Sequence, residues 1–198
     1  MKKSSLTIKI QKSIHDSTKI VESLIDMTPD LENSISLISK CISQGGKIVL
    51  FGNGGSAADS QHIAAELIGR FKINRKSFPA IALTTDTSCI TALSNDYSFD
   101  IIFSRQCESL VQKNDVVIGI STSGKSKNVL KGLQMAKKKG GITIGLLGSK
   151  KGPISKVVDI ELRVNSSSTS KIQEAHRIIY HIICEHVENN LTKGKKYV

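Results

Sequence analysis

The sequence predicts an α/β fold: a three-layer sandwich with a five-stranded parallel sheet flanked by helices, preceded by an N-terminal helical segment. Three observations carry this. Five short, mostly apolar runs recur along the chain: KIVLF (47–51), AIALT (80–84), VVIGI (116–120), ITIGLL (142–147) and DIELRV (159–164). Longer stretches of helical spacing separate them, so successive strands are joined by crossovers and run parallel. Glycine-rich turns follow the first and third runs, and sheets of this kind bind ligands beyond the carboxyl ends of their strands.

The elements follow in order. Residues 4–27 place Leu6, Ile10, Ile14, Val21, Leu24 and Ile25 at mostly helical intervals. Thr28-Pro29-Asp30 reads as the next helix start, with Thr28 as capping hydroxyl and proline in the first turn. That helix runs to about Ser43 and stops at Gly45-Gly46. After the first strand, Phe51-Gly-Asn-Gly-Gly-Ser-Ala-Ala-Asp59 turns into a helix through Arg70, with Ser56 as its expected N-cap. Helical patterns at 86–94 and 98–111 follow the second strand. Another ends near Gly140-Gly141, and a long terminal helix spans 169–191.

Composition narrows the function. With 198 residues the chain makes one domain of ordinary size. No run of ~18 apolar residues predicts a membrane span, and no apolar stretch backs the N-terminal lysines as a secretory signal. Cys41, Cys89, Cys107 and Cys184 are scattered without a C-x-x-C pair, which reads as buried thiols in a reducing compartment. The formal net charge of +11 falls on helix ends, on Lys150-Lys151 and on the Lys193-to-Lys196 tail. Aromatic residues are only 4%, too few for base-stacking platforms. The charge therefore points to anionic small substrates rather than to nucleic acid.

Two turns and two helices hold the polar residues of interest. GISTSGKS (119–126) has the spacing of a nucleotide-binding P-loop, but Gly119 lies inside the third strand and cannot open such a loop. A seat for one phosphate at the start of a helix, or a serine-rich cap, are the readings left; the first is preferred. The turn after the first strand packs three glycines into four residues, which suits close approach to a ligand or simply a sharp bend. On the helix behind it, His62 and Glu66 share one face, as a metal pair, a base with its partner, or an ordinary surface contact. Gln173 and His181 lie roughly 80° apart around the terminal helix. His176 and His186 read as packing or solvent-facing histidines. Spacing alone does not assemble these side chains into a site.

Four segments together do more. FGNGGSAADSQHIAAELIGRF (51–71), LSNDYSFDIIFSRQ (93–106), GISTSGKSKNV (119–129) and KIQEAHRIIYH (171–181) closely resemble the bacterial phosphoheptose isomerases. These are sugar-isomerase (SIS) domain enzymes acting on sedoheptulose 7-phosphate, and the likeness covers about residues 45–190 in one order. The resemblance implies that Ser121, Thr122, Ser123 and Ser126 bind the sugar phosphate, which makes the P-loop match a coincidence. It implies that Asn53, Gly54, Gly55, Asn95 and Asp96 contact the sugar, with Glu66 and Gln173 also facing substrate. His62, Glu66, Gln173 and His181 match the zinc ligands of the family, one ion per subunit, and Glu66 and His181 match its acid–base pair. It further implies a cytoplasmic homotetramer that supplies a precursor of cell-surface heptose, with no membrane or nucleic-acid partner.

On this reading residues 1–44 are N-terminal helices for packing and oligomerisation, 45–192 the SIS domain and 193–198 a basic tail. The chain departs from some relatives at Ser170, where they carry Asp, and at Gly152-Pro153, where a Gly-Gly is common. The alternative is a non-catalytic SIS-domain protein that binds the replication initiator DnaA. That relative lacks the glutamate and histidine matching Glu66 and His181, and this chain keeps both.

Overall fold

The computed structural model describes residues 4–148 and 151–192. The basic tail at 193–198 and Lys150 lie outside the described residues. Five parallel strands form one sheet in the order β2-β1-β3-β4-β5: β1 (Ile48–Gly52), β2 (Ala80–Ala82), β3 (Val116–Ser121), β4 (Ile142–Leu147) and β5 (Ile160–Arg163). The order runs outward in opposite directions from β1 and β3, so the switch point of the sheet lies between their carboxyl ends. Both glycine-rich turns open there.

The strands are continuous apolar runs because helices cover both faces. Ile48 and Leu50 point to one face, packed by α2 (Thr28–Ser43), α3 (Gly55–Ile68) and α7 (Thr169–Thr192). Val49 and Phe51 point to the other, packed by α5 (Ile102–Leu110) and α6 (Lys127–Lys138). The helix α4 (Thr87–Asp96) follows β2 at the sheet edge. Asp115 pins the starts of β1 and β3: its buried carboxylate accepts from the Lys47 backbone N–H at 3.0 Å and from Lys47 Nζ at 2.6 Å.

Element boundaries differ from the sequence reading where local bonds compete. The first helix, α1 (Ser5–Glu22), gives way to a 3₁₀ turn at Ser23–Met27. Thr28 does not cap α2: its hydroxyl donates to the Ile25 carbonyl at 2.6 Å, because α2 abuts that turn with no extended residue before it. Pro29 does sit in the first turn of α2. Ser56 is not the cap of α3 either. The helix begins at Gly55 after Gly54, whose φ of 56° is open to glycine, and Ser56 is buried inside the first turn. The pattern at 98–111 splits into a 3₁₀ turn (Phe99–Ile101) and α5, and β2 is shorter than the AIALT run. Cys41, Cys107 and Cys184 are buried, Cys89 only partly, and all four are free thiols.

Candidate active site

The serine loop closes β3 and opens α6. Gly124, with φ of 64°, turns the chain, and its N–H donates to the Ser121 carbonyl at 3.1 Å. The hydroxyls of Ser121 and Ser126 stand 3.0 Å apart and those of Ser121 and Ser123 3.4 Å. Ser126 occupies the N-cap position of α6 without using its side chain as a cap. Hydroxyls and the first N–H groups of α6 thus face the same opening, which is how a helix start holds a phosphate. Thr122 lines a recess of about 230 Å³ between this loop and the start of α7, together with Ser123, Lys125, Ser166, Ser167 and Thr169.

Gly148, at the end of β4, sets the width of that loop. A Cβ there would run into the Thr122 carbonyl oxygen and lie 2.8 Å from Ile172 Cδ1. Backbone cannot yield as a side-chain tip does, so Gly148→Ala must shift the serine loop at a cost of about 1–3 kcal/mol. For the sugar phosphate that the resemblance implies, we expect a KM raised by roughly tenfold or more with a lowered melting temperature. Steady-state kinetics with an unchanged KM would show the loop does not hold the phosphate.

The glycine turn is fastened to the serine loop by a residue the sequence reading missed. Asn53 and the buried Asn128 exchange two amide hydrogen bonds, at 2.8 and 2.9 Å. Asn128 Oδ1 also accepts from the Val129 N–H at 2.9 Å, so each amide keeps one N–H donor but only Asn53 Oδ1 keeps acceptor capacity for a ligand. Asn95 and Asp96 are exposed at the end of α4, where the Asn95 amide donates to Asp96 at 2.9 Å. Asp100 lies 4.0 Å from Lys127 Nζ and 3.8 Å from Lys131 Nζ, which sets the α4–α5 connection beside the first turns of α6.

A second cluster forms where α3 and α7 pack side by side and run the same way. His62 Nε2 is 3.0 Å from Glu66 Oε1 and 3.4 Å from His181 Nε2. One ligand atom from each residue lies within 4.8 Å of the others. Burial, then the neighbouring His62, holds the His181 imidazole below its ordinary 6.5, so it stays neutral at neutral pH. Two imidazoles and a carboxylate at these distances suit zinc. Gln173, the fourth residue of the expected set, sits nearer the start of α7. It precedes His181 by eight residues, about 12 Å along α7, and its side chain lies over Gly55, where an added Cβ would come 3.0 Å from Gln173 Cδ. Glu66 is likewise about 16 Å along α3 from Gly55.

The remaining histidines follow the bland reading. His176 is fully buried, its Nε2 is 3.2 Å from the Leu147 carbonyl, and burial lowers its pKa to about 4. His186 is exposed. Missed by sequence alone were Asn128, Gly148, and Asp59 and Tyr180 behind His62. No periodicity signals them, since each acts through a partner distant in the chain.

A doubly wound parallel sheet with a serine-lined turn at its switch point is the architecture of the SIS domain, and a sequence model of that domain matches residues 14–148. The particular branch is set by whole-chain likeness. A phosphoheptose isomerase of Geotalea daltonii is 49% identical over 183 residues, covering 92% of this chain and 95% of the relative. The structure of phosphoheptose isomerase from Neisseria gonorrhoeae superposes with a TM-score of 0.88 at 35% identity, covering 93% of this chain and all of that one. That from Francisella tularensis gives 0.89 at 33% identity, with 94% of this chain covered. The chain belongs to the phosphoheptose isomerase family.

Proposed function

We propose that the chain is an aldose–ketose isomerase that converts D-sedoheptulose 7-phosphate to D-glycero-D-manno-heptose 7-phosphate through an enediol. The observation that carries this is the meeting of Glu66 on α3 with His181 on α7, a carboxylate and a neutral imidazole gathered around His62. Isomerisation moves one proton between adjacent carbons and another between their oxygens. Glu66 takes the proton from carbon, and the His181 imidazole passes a proton between the two oxygens. The serine loop holds the phosphate and keeps the reacting carbons in register. His62, Glu66 and His181 would hold zinc, which would supply Lewis acidity to the reaction when bound.

Gln173 and the glycine turn stand about 12–16 Å along α7 and α3 from His181 and Glu66, which favours a site completed across a subunit contact in a homotetramer. Gln173 and the sugar-binding Asn53, Gly54, Gly55, Asn95 and Asp96 then serve a ligand shared between chains. Exposed Leu6, Ile8, Ile10 and Ile14 on α1 suit such an assembly. Four free thiols suit the reducing cytoplasm. Among the described residues no helix is long and apolar enough to cross a membrane. A retained acid–base pair speaks against the non-catalytic DnaA-binding alternative.

Incubating the pure protein with sedoheptulose 7-phosphate tests the reading, with appearance of the aldose as the expected result. Metal-stripped protein should lose at least about 90% of that rate, a loss well inside what a Lewis acid contributes, and zinc should restore it. Aldose formation at full rate without metal would make zinc dispensable; no aldose under any condition would refute the function.

A further inference from the structure

We propose that Tyr180 is a positioning residue whose hydroxyl fixes the tautomer of His62 and so points the Nε2 lone pair at the metal. The inference rests on the zinc reading of His62, Glu66 and His181 given above.

The protons around one buried oxygen decide the tautomer. Tyr180 is 1% exposed. Its Oη lies 3.0 Å from Arg177 Nε, 3.4 Å from Asp59 Oδ1 and 3.4 Å from His62 Nδ1. The arginine Nε can only donate, and a carboxylate can only accept. The phenol proton therefore goes to Asp59, which is 3% exposed and has Arg177 Nη2 3.5 Å away as counter-charge. One phenol lone pair receives the Arg177 N–H. The other is left for His62, and only an Nδ1–H can use it.

A neutral imidazole with its proton on Nδ1 presents a bare lone pair on Nε2. That nitrogen faces Glu66 Oε1 at 3.0 Å and His181 Nε2 at 3.4 Å. Nε2 of His62 and Oε1 of Glu66 then face each other with no proton between them, which calls for a cation, and the His181 ring nitrogen stands within reach of it. With the opposite tautomer, Nε2–H would donate to Glu66 and the histidine would be spent on an ordinary helix contact. The hydroxyl of Tyr180 thus decides whether the i, i+4 pair is a surface bond or a ligand face. Outer partners of metal-bound histidines act in this way in general.

The test is the zinc affinity of metal-stripped protein, measured by competition with a chromogenic chelator. Tyr180→Phe keeps the ring, which packs edge-on to His181 with centroids 4.7 Å apart, and removes only the hydroxyl. Its zinc dissociation constant should rise roughly 10–100-fold, while the metal-free protein still melts cooperatively, a few degrees lower for the lost hydroxyl bonds. Asp59→Asn supplies an amide that donates to the hydroxyl and frees the phenol proton for Nδ1. It should weaken zinc to a similar degree, and it gives a second reading should the phenylalanine variant fold poorly. Zinc affinities of both variants within about threefold of the wild type, below the effect expected of such partners, would overturn the proposal. Wild-type protein that binds no zinc overturns it together with the metal site, whereas aldose formation by the same sample reports on the isomerase reading separately.

Discussion

Glu66→Gln is expected to lower kcat roughly 10³-fold, within the range that a general base contributes, while the melting temperature moves by no more than about 2 °C. The amide fills the same space on a half-buried helix face, so packing is kept. What it loses is the ability to accept a proton from carbon. The measurement is kcat for aldose formation beside a thermal melt of the same preparation. Glu66 is also one of the three proposed zinc ligands, so zinc content is measured in parallel. A variant that turns over at near-normal rate with zinc bound would remove Glu66 from the role of base.

The largest effect on stability should come from Glu188→Ala. The Glu188 carboxylate is buried on α7, where it accepts backbone N–H groups from Phe71 at 2.9 Å, Lys72 at 2.7 Å and Ile73 at 2.9 Å. Arg75 Nε donates to it at 2.8 Å, and both side chains are 1% exposed. The same guanidinium donates to the carbonyls of Leu67 and Glu66, each at 2.9 Å, and lies over the Phe78 ring. The pair therefore ties the end of α3 to α7 just beyond the cluster of His62, Glu66 and His181. Removing the carboxylate leaves three backbone N–H groups and Arg75 Nε without an acceptor and the buried guanidinium without a counter-charge, at a cost of about 3–5 kcal/mol. For a chain of this size the melting temperature should fall by about 10 °C or more. A loss under about 1 kcal/mol, the scale of an exposed pair, would mean the network is not energetically important.

Acid should reveal the same network. Burial opposes the Glu188 charge, but the three backbone N–H groups and Arg75 outweigh it and hold the carboxyl below its ordinary 4.5. In the unfolded chain the group binds its proton more readily, so its contribution is fully present above 4.5 and is lost as pH falls through the lower folded value. Wild-type protein should accordingly lose melting temperature more steeply than Glu188→Ala on acidification below that point.

Much of the architecture was legible because buried parallel strands are written as unbroken apolar runs bounded by glycine. Val116 to Ile120 and Ile142 to Leu147 need no partner information to be read as strands. The boundaries that moved did so through local hydrogen bonds: Thr28 spends its hydroxyl on Ile25, and Gly54 rather than Ser56 turns the chain into α3. For the site, helical spacing put His62 and Glu66 together correctly. Joining them to His181 required the parallel packing of α3 on α7, which the family likeness supplied and periodicity did not. Gln173 shows the opposite case. Its eight-residue distance from His181 already separates the two by two turns, and the structure puts its side chain at the glycine turn. Asn128, Arg75 and Glu188 were silent because each is matched to a residue at least 75 positions away or to backbone, as in the bonds Asn128–Asn53 and Glu188–Phe71.

The placement of α7 carries a consequence for synthesis. It is the last described element of the chain, yet it covers Ile63 and Leu67 of α3 in the same core and brings the imidazole that faces Glu66. A nascent chain still on the ribosome, with α7 inside the exit tunnel, would leave the part of that core that α7 covers open to solvent. Prematurely terminated products ending before residue 169 should thus be sticky and short-lived, substrates for chaperones and proteases rather than partial enzymes.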